Sequence, residues 1–186
     1  MIPAFVVVLD ACVLFPASLR DTLLRAANAR LYRLQLTEEI LEEVRRNLAN
    51  KGLPKANAQR IYDTIRHQFS EAFITSYQPF ISAMPINEKD RHVLAAAVAS
   101  RAQVIVTQNL KDFPQALLAP FEIEAQSSDD FLTHLYELEP IAMLHIIAEQ
   151  AGELRNPPKT IPELLDTLQQ HVPNLVRLVR QDMGIA

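Results

Sequence analysis

The fold is predicted from one stretch close to the N-terminus, Phe5-Val6-Val7-Val8-Leu9-Asp10-Ala11-Cys12. Five apolar residues follow one another without alternation and end at a carboxylate. An uninterrupted run rich in β-branched residues is typical of a strand buried on both faces of a parallel sheet. Asp10 then follows the carboxyl end of this strand, where open α/β sheets form their ligand crevices. Two interpretations are open at this point, a functional carboxylate and a core strand that ends in a turn.

Composition narrows the class of protein. The chain has 186 residues, of which 49% are hydrophobic and 22% charged, as in ordinary globular proteins. With only three glycines, it has neither a dinucleotide-binding nor a P-loop motif. Its single cysteine excludes an internal disulfide framework and indicates a reducing compartment. Because no stretch reaches the ~18 apolar residues of a membrane span, and no basic segment precedes the first strand, we expect a cytoplasmic protein without membrane contact.

Charge is distributed unevenly along the chain. The net charge of −4 argues against a protein that coats nucleic acid without specificity. Residues 20–66 nevertheless hold ten Lys and Arg against six Asp and Glu, whereas the rest holds eight against sixteen. This pattern suits an enzyme that binds phosphates on one surface and a metal on another, although on charge alone the solvation of surface helices is the better explanation.

A second carboxylate is predicted on the helix that Thr37 caps, from Glu38 to about Asn50. Its apolar stripe consists of Ile40, Leu41, Val44 and Leu48. At about 100° per residue, Glu43 lies at the edge of this stripe and is a candidate ligand. The other acids of the helix, Glu38, Glu39 and Glu42, are interpreted as surface residues or as partners of the helix dipole.

A third carboxylate, Asp90, stands at the start of an alanine-rich helix predicted from Val93 to Arg101. Taken alone, Asp90 is best explained as an acid that complements the helix dipole, with Asn87 as the cap. His92 in the same turn is interpreted as exposed and is not included among the site residues.

A second buried strand is predicted at Val104-Ile105-Val106-Thr107. Thr107, Asn109 and Asp112 gather at its end, either as turn formers or as the other wall of the crevice. Beyond Pro140 the sequence changes to amphipathic helices without candidate strands. We therefore predict a domain at residues 1–138 and a helical C-terminal extension at 139–186, whose apolar faces either bind a partner or complete the core.

Four stretches in this order resemble the PIN-domain nucleases, and the resemblance covers roughly residues 4–136. They are Val7-Val8-Leu9-Asp10-Ala11-Cys12-Val13-Leu14, Ile40-Leu41-Glu42-Glu43-Val44, Asp90-Arg91-His92-Val93-Leu94-Ala95-Ala96-Ala97 and Val104-Ile105-Val106-Thr107-Gln108-Asn109-Leu110-Lys111-Asp112-Phe113-Pro114. The last stretch, with its strand, Thr-x-Asn and Asp-Phe, is the most specific. The resemblance implies a three-layer α/β/α sandwich on a central parallel sheet and a Mg²⁺- or Mn²⁺-dependent ribonuclease acting on single-stranded RNA.

The resemblance also implies the site residues. By motif, Asp10, Glu43 and Asp90 correspond to the acidic core, and Thr107 to the hydroxyl at the strand end. Asn109 departs from the family, in which this position often carries an acid, so either Asp112 supplies the fourth carboxylate or a second ion is held weakly. Many relatives are VapC-like toxins, which implies an antitoxin as partner, and we also expect a homodimer.

The residue types suit this chemistry on their own. Clustered carboxylates repel one another unless a cation neutralises them, and Mg²⁺ prefers such oxygens while it keeps several waters. Metal-activated water would attack the phosphate, and a second ion ~3.5–4 Å away would stabilise the leaving oxygen. Candidate phosphate contacts are Arg20, Arg25, Arg45 and Arg46.

Other classes fit less well. A haloacid-dehalogenase type phosphatase needs a second Asp two residues after the first, where this chain has Cys12. A receiver domain needs an acidic pair ahead of its phospho-acceptor and a late Lys, and neither is found. The remaining alternative is a non-catalytic PIN-like interaction module with a degraded metal site, which the asparagine at position 109 keeps open.

Overall fold

The computed structural model describes residues 5–185, in which four short strands form one parallel sheet. They are β1 (Val6–Leu9), β2 (Arg33–Gln35), β3 (Val104–Val106) and β4 (Glu124–Gln126), in the order β2-β1-β3-β4. In the register of the sheet, Val8 lies opposite Gln35 on one side and Ile105 on the other. The two uninterrupted apolar runs therefore form the central pair, as predicted.

Ten α-helices accompany this sheet in the described part of the chain. They are α1 (Ala11–Leu14), α2 (Ala17–Asn28), α3 (Glu38–Asn50), α4 (Lys55–Gln68), α5 (Arg91–Ser100), α6 (Gln115–Leu118), α7 (Ser128–Leu138), α8 (Pro140–Glu153), α9 (Ile161–Leu168) and α10 (Pro173–Met183). The predicted α/β sandwich with C-terminal helices is confirmed. No helix within residues 5–185 is both long and apolar enough to cross a membrane.

The described chain divides into two compact units. Residues 5–15 and 32–126 form the first, and residues 16–31 and 127–185 form the second. The second unit thus contains α2 and α7 in addition to the C-terminal helices. The division at residues 138 and 139 made from the sequence stays a prediction about the domains.

In the first unit, helix packing places the strand ends next to two other elements. The alanine-rich helix α5 packs on β1, β2 and β3, and α1 packs on α3. Thr37 caps α3 as predicted, because its hydroxyl accepts a hydrogen bond from the Ile40 amide at 3.1 Å. The residues after Asp10 form the short helix α1, at whose start the Val13 amide donates a hydrogen bond to the Asp10 carbonyl at 3.2 Å.

In the second unit, the apolar faces of the C-terminal helices are buried. Helix α2 packs against α8 and α9, and α7 packs against α8 and α10. Fully buried side chains there include Leu164, Leu165, Leu168, Val172, Leu175, Val176 and Val179. Of the two alternatives left open by the sequence, the structure therefore favours the one in which these faces complete a core, here the core of the second unit. Helix α9 begins with a capping box, in which the Thr160 hydroxyl accepts a hydrogen bond from the Glu163 amide and the Glu163 carboxylate accepts one from the Thr160 amide.

Candidate active site

Asp10 and Thr107 meet where the two central strands end. The strands β1 and β3 are paired, with Leu9 opposite Val106, and the Asp10 amide donates to the Val106 carbonyl at 3.0 Å. Asp10 is 7% exposed and Thr107 is fully buried. The Thr107 hydroxyl donates a hydrogen bond to Oδ2 of Asp10 at 2.7 Å. Strand pairing thus fixes one carboxylate at the carboxyl edge of the sheet.

Cys12 supplies a second donor to the same carboxylate oxygen. Its thiol donates to Oδ2 of Asp10 at 3.1 Å and lies 3.4 Å from the Thr107 hydroxyl. Burial, and after it the negative charge of Asp10, raises the pKa of Cys12 to about 12. The thiol therefore stays protonated and remains a donor at neutral pH. Since both donors bind Oδ2, and no side chain among residues 5–185 donates to Oδ1, the second oxygen is left for a ligand.

Glu43 faces this carboxylate from α3. Burial raises the pKa of Glu43, and the charge of Asp10 raises it further, whereas the charges of His92 and Arg46 lower it. The His92 ring is buried, with Nε2 3.8 Å from Oε2 of Glu43 and Nδ1 3.9 Å from Oε2 of Glu39. Both separations exceed hydrogen-bond length, so the imidazole lies between two carboxylates without being hydrogen-bonded to either.

Asp90 and Asp112 form the other side of the acidic cluster. Asp90 occupies the N-cap position of α5, and its Oδ2 is buried without a hydrogen-bond partner among the described residues. Burial raises the pKa of Asp90, the charge of Lys89 lowers it, and the charges of Asp112 and Asp10 raise it. Lys89 Nζ lies 3.0 Å from Oδ2 of Asp112 and 3.7 Å from Oδ2 of Asp90.

The structure therefore brings together Asp10, Glu43, Asp90 and Asp112, although up to 102 positions of the sequence separate them. A bound cation would relieve both the orphaned buried oxygen of Asp90 and the burial and neighbouring negative charge that raise the pKa values of Glu43 and Asp90. Within residues 5–185, no three His, Cys, Asp or Glu side chains are arranged to surround one ion. The arrangement fits an ion that takes one or two carboxylates and completes its shell with water and substrate phosphate, as Mg²⁺ does.

The remaining predicted residues are Asn109 and four arginines, and they lie in different environments. Asn109 is exposed, and only its backbone amide reaches the cluster, donating to the Thr107 hydroxyl at 3.1 Å. Arg45 is bound by Glu42 at 2.5 Å, whereas Arg46 is exposed and close enough for its charge to lower the pKa of Glu43. Two predicted phosphate contacts lie on α2 in the second unit, Arg20 and Arg25.

One of those two arginines is already engaged in ion pairs. Arg25 lies 3.0 Å from Asp21 and 2.6 Å from Glu153, both within the second unit. Its guanidinium therefore links α2 to the end of α8. These contacts give Arg25 a structural role that the sequence analysis did not anticipate.

The sequence analysis did not identify three residues of the site, namely Cys12, Lys89 and His92. For His92 a signal was present, because the helix it begins is apolar on almost every side, and such helices are buried all round. His92 is in fact only 7% exposed, so its interpretation as an exposed residue is wrong. For Cys12 and Lys89 the sequence offers no comparable signal, since the contact of Cys12 with Thr107 and that of Lys89 with Asp112 join segments that lie far apart in the sequence.

Comparisons with known proteins give three results. The sequence model of the PIN domain matches residues 6–111, and that of the VapC50 C-terminal domain matches residues 128–181. The chain is 44% identical over 110 residues to a protein of Mycobacterium tuberculosis (strain ATCC 25618 / H37Rv) named "Putative ribonuclease VapC50". This alignment covers 59% of the chain and 65% of that relative, slightly less than two thirds of its length. No solved structure matches with statistical significance.

Proposed function

The chain belongs to the PIN domain family, whose model matches residues 6–111, and on this premise we propose that it is a cytoplasmic metal-dependent ribonuclease that cleaves single-stranded RNA. The observation that carries the proposal is the convergence of four carboxylates at the carboxyl edge of the central strands. The relative from Mycobacterium tuberculosis is named as a ribonuclease, which supports the same activity.

We propose Mg²⁺ or Mn²⁺ as the cofactor. The residues that would hold it directly are Asp10, through the oxygen to which no described side chain donates a hydrogen bond, and Glu43, while Asp90 would contribute negative charge beside them. A divalent ion bound there supplies water activation and charge neutralisation for hydrolysis of a phosphodiester. Asp112 is the proposed fourth carboxylate, because Asn109 is exposed and contributes only its backbone amide.

The protein's own residues prepare the site before substrate arrives. Thr107 and Cys12 hold Asp10 in one orientation, and such outer contacts usually tune a metal ligand's position and basicity. The acidic edge would repel RNA unless cations lie beside it. Arg46 is exposed next to Glu43 and is the best-placed of the predicted arginines to contact a phosphate of the RNA backbone.

A toxin role extends the proposal. The resemblance to VapC-like proteins implies that the ribonuclease is the toxin of a toxin–antitoxin pair, with a protein antitoxin as its inhibitor. The match of residues 128–181 to the VapC50 C-terminal domain supports relationship over the second unit as well. A homodimer is part of the proposal, and its interface would use a surface other than the apolar faces of the C-terminal helices, which lie in the core of the second unit.

Cleavage of labelled RNA tests the proposal directly. We expect Mn²⁺-dependent cleavage of a single-stranded RNA, weaker cleavage of the same sequence as a duplex, and no cleavage in EDTA. Asp10→Asn removes a charge at nearly constant volume and should lower the rate by more than about 100-fold, beyond the 10–100-fold that outer contacts of a metal site contribute. Asp63→Asn, an exposed change on α4, is the matched control and should cleave normally. Equal rates for Asp10→Asn and the parent would refute the mechanism.

The alternative function is a PIN-like interaction module that binds no metal. The observation in its favour is that no three ligand side chains are prearranged within the described residues. Binding of Mn²⁺ by the folded protein separates the two, because only the nuclease requires it.

A further inference from the structure

One lysine lies between two carboxylates of the site. Lys89 Nζ is 3.0 Å from Oδ2 of Asp112, to which it donates a hydrogen bond, and 3.7 Å from Oδ2 of Asp90. The side chains of Asp90 and Asp112 are 13% and 17% exposed, whereas that of Lys89 is 61% exposed. The ammonium group thus reaches from solvent to two largely buried carboxylates.

The oxygen of Asp90 that faces Lys89 is the one that lacks a hydrogen-bond partner in the described residues. The carboxylates of Asp90 and Asp112 lie 3.7 and 3.0 Å from the same ammonium group, and their negative charges would repel each other if that group were removed. In nucleases with two metal ions, a divalent ion shared between carboxylates performs this neutralisation. Here the protein supplies a positive charge of its own at that position.

We propose that Lys89 is the resident cation of the Asp90–Asp112 pair and takes the place of a second divalent ion. The inference rests on the proposed function and deepens it, because it fixes the number of ions. The protein then binds one Mg²⁺ or Mn²⁺, on the side of the cluster formed by Asp10 and Glu43. The ammonium carries three N–H donors, of which Asp112 accepts one, so others remain for an oxygen of the substrate phosphate.

This arrangement also gives Lys89 a part in the reaction. Charge that develops on the phosphate oxygens during hydrolysis is stabilised by cationic clamps built from Arg, Lys or metal ions. A lysine anchored by two carboxylates is oriented before substrate binds. The residue therefore joins the substrate-contacting groups of the proposed ribonuclease.

Counting bound ions tests the proposal. Isothermal titration of the metal-free protein with MnCl₂, checked by electron paramagnetic resonance of free Mn²⁺, should give one ion per chain for the parent. Lys89→Met removes the cation at similar length and should raise the number to two. Lys89→Arg keeps the charge and should still give one. Lys111→Met is the matched control, since Lys111 lies beside Asp112 in sequence but forms no ion pair among the described residues, and it should also give one.

Each other outcome contradicts the proposal in a distinguishable way. Two ions in the parent, or one ion in both the parent and Lys89→Met, would show that Lys89 does not replace an ion, while the proposed metal-dependent function would stand. No ion in any variant, with the far-ultraviolet circular dichroism of a folded protein, would overturn the proposed function and this inference together.

Discussion

Replacing Thr107 with valine tests whether its hydroxyl holds Asp10 in place. The change keeps the branched shape of the side chain and removes the donor to Asp10, together with the acceptor of the Asn109 amide, whose loss is the same in both backgrounds of a double-mutant cycle. The hydrogen bond is 2.7 Å long, its donor is fully buried, and the acceptor is a carboxylate that is 7% exposed. Hydrogen bonds to charged groups contribute about 1.5–3 kcal/mol, so we expect Thr107→Val to lower the free energy of unfolding by that amount.

Urea unfolding in EDTA measures this loss without a contribution from metal. Thr64→Val, an exposed change on α4, should shift the free energy of unfolding by less than about 0.5 kcal/mol, as surface substitutions usually do. A double-mutant cycle with Asp10→Asn isolates the interaction, because Thr107→Val should matter less once the carboxylate charge is absent. A loss below about 0.5 kcal/mol for Thr107→Val, or a loss that does not become smaller in the Asp10→Asn background, would refute the assigned role.

Two further predictions follow from the raised pKa values. Since burial, and after it the charge of Asp10, raises the pKa of Glu43, the folded state binds this proton more tightly than the unfolded chain does. The contribution of Glu43 to the free energy of unfolding of the metal-free protein should therefore fall as pH rises from about 4.3, the ordinary Glu value, toward neutrality. In urea titrations the parent should lose stability relative to Glu43→Gln over this range, and a parent that gains stability relative to that variant would contradict the sign. With a pKa of about 12, Cys12 should react with iodoacetamide at pH 8 only when the protein is unfolded in urea, and rapid alkylation of the folded protein would contradict its buried, hydrogen-bonded state.

The parts of the fold that follow from local patterns were predictable from sequence. The runs that became β1 and β3 are apolar without alternation, which only burial on both faces explains, and they form the central pair of the sheet. Glu43 was placed at the edge of an apolar helix stripe, and in the structure it is close enough to Asp10 for that charge to raise its pKa.

The residues whose roles were not predicted owe those roles to contacts between segments that are distant in the sequence. Lys89 gains its role from Asp112, which lies 23 positions away, and Cys12 gains a neighbour in Thr107, 95 positions away. Hydrophobic periodicity carries no information about such pairs. The short helix α1 was missed for a related reason, because four residues are too few to show a helical period.

Thermal unfolding in the presence of Mn²⁺ tests most directly the claim that these carboxylates form a metal site. A ligand that binds only the folded state stabilises it by about 2.7 kcal/mol at a hundredfold excess over its Kd, which for a chain of this size raises the Tm by about 5–11 °C. We predict such a rise for the parent and for Asp63→Asn, and almost none for Asp10→Asn, which removes the charge of the central ligand. No rise for the parent, or the same rise for Asp10→Asn, would contradict the claim.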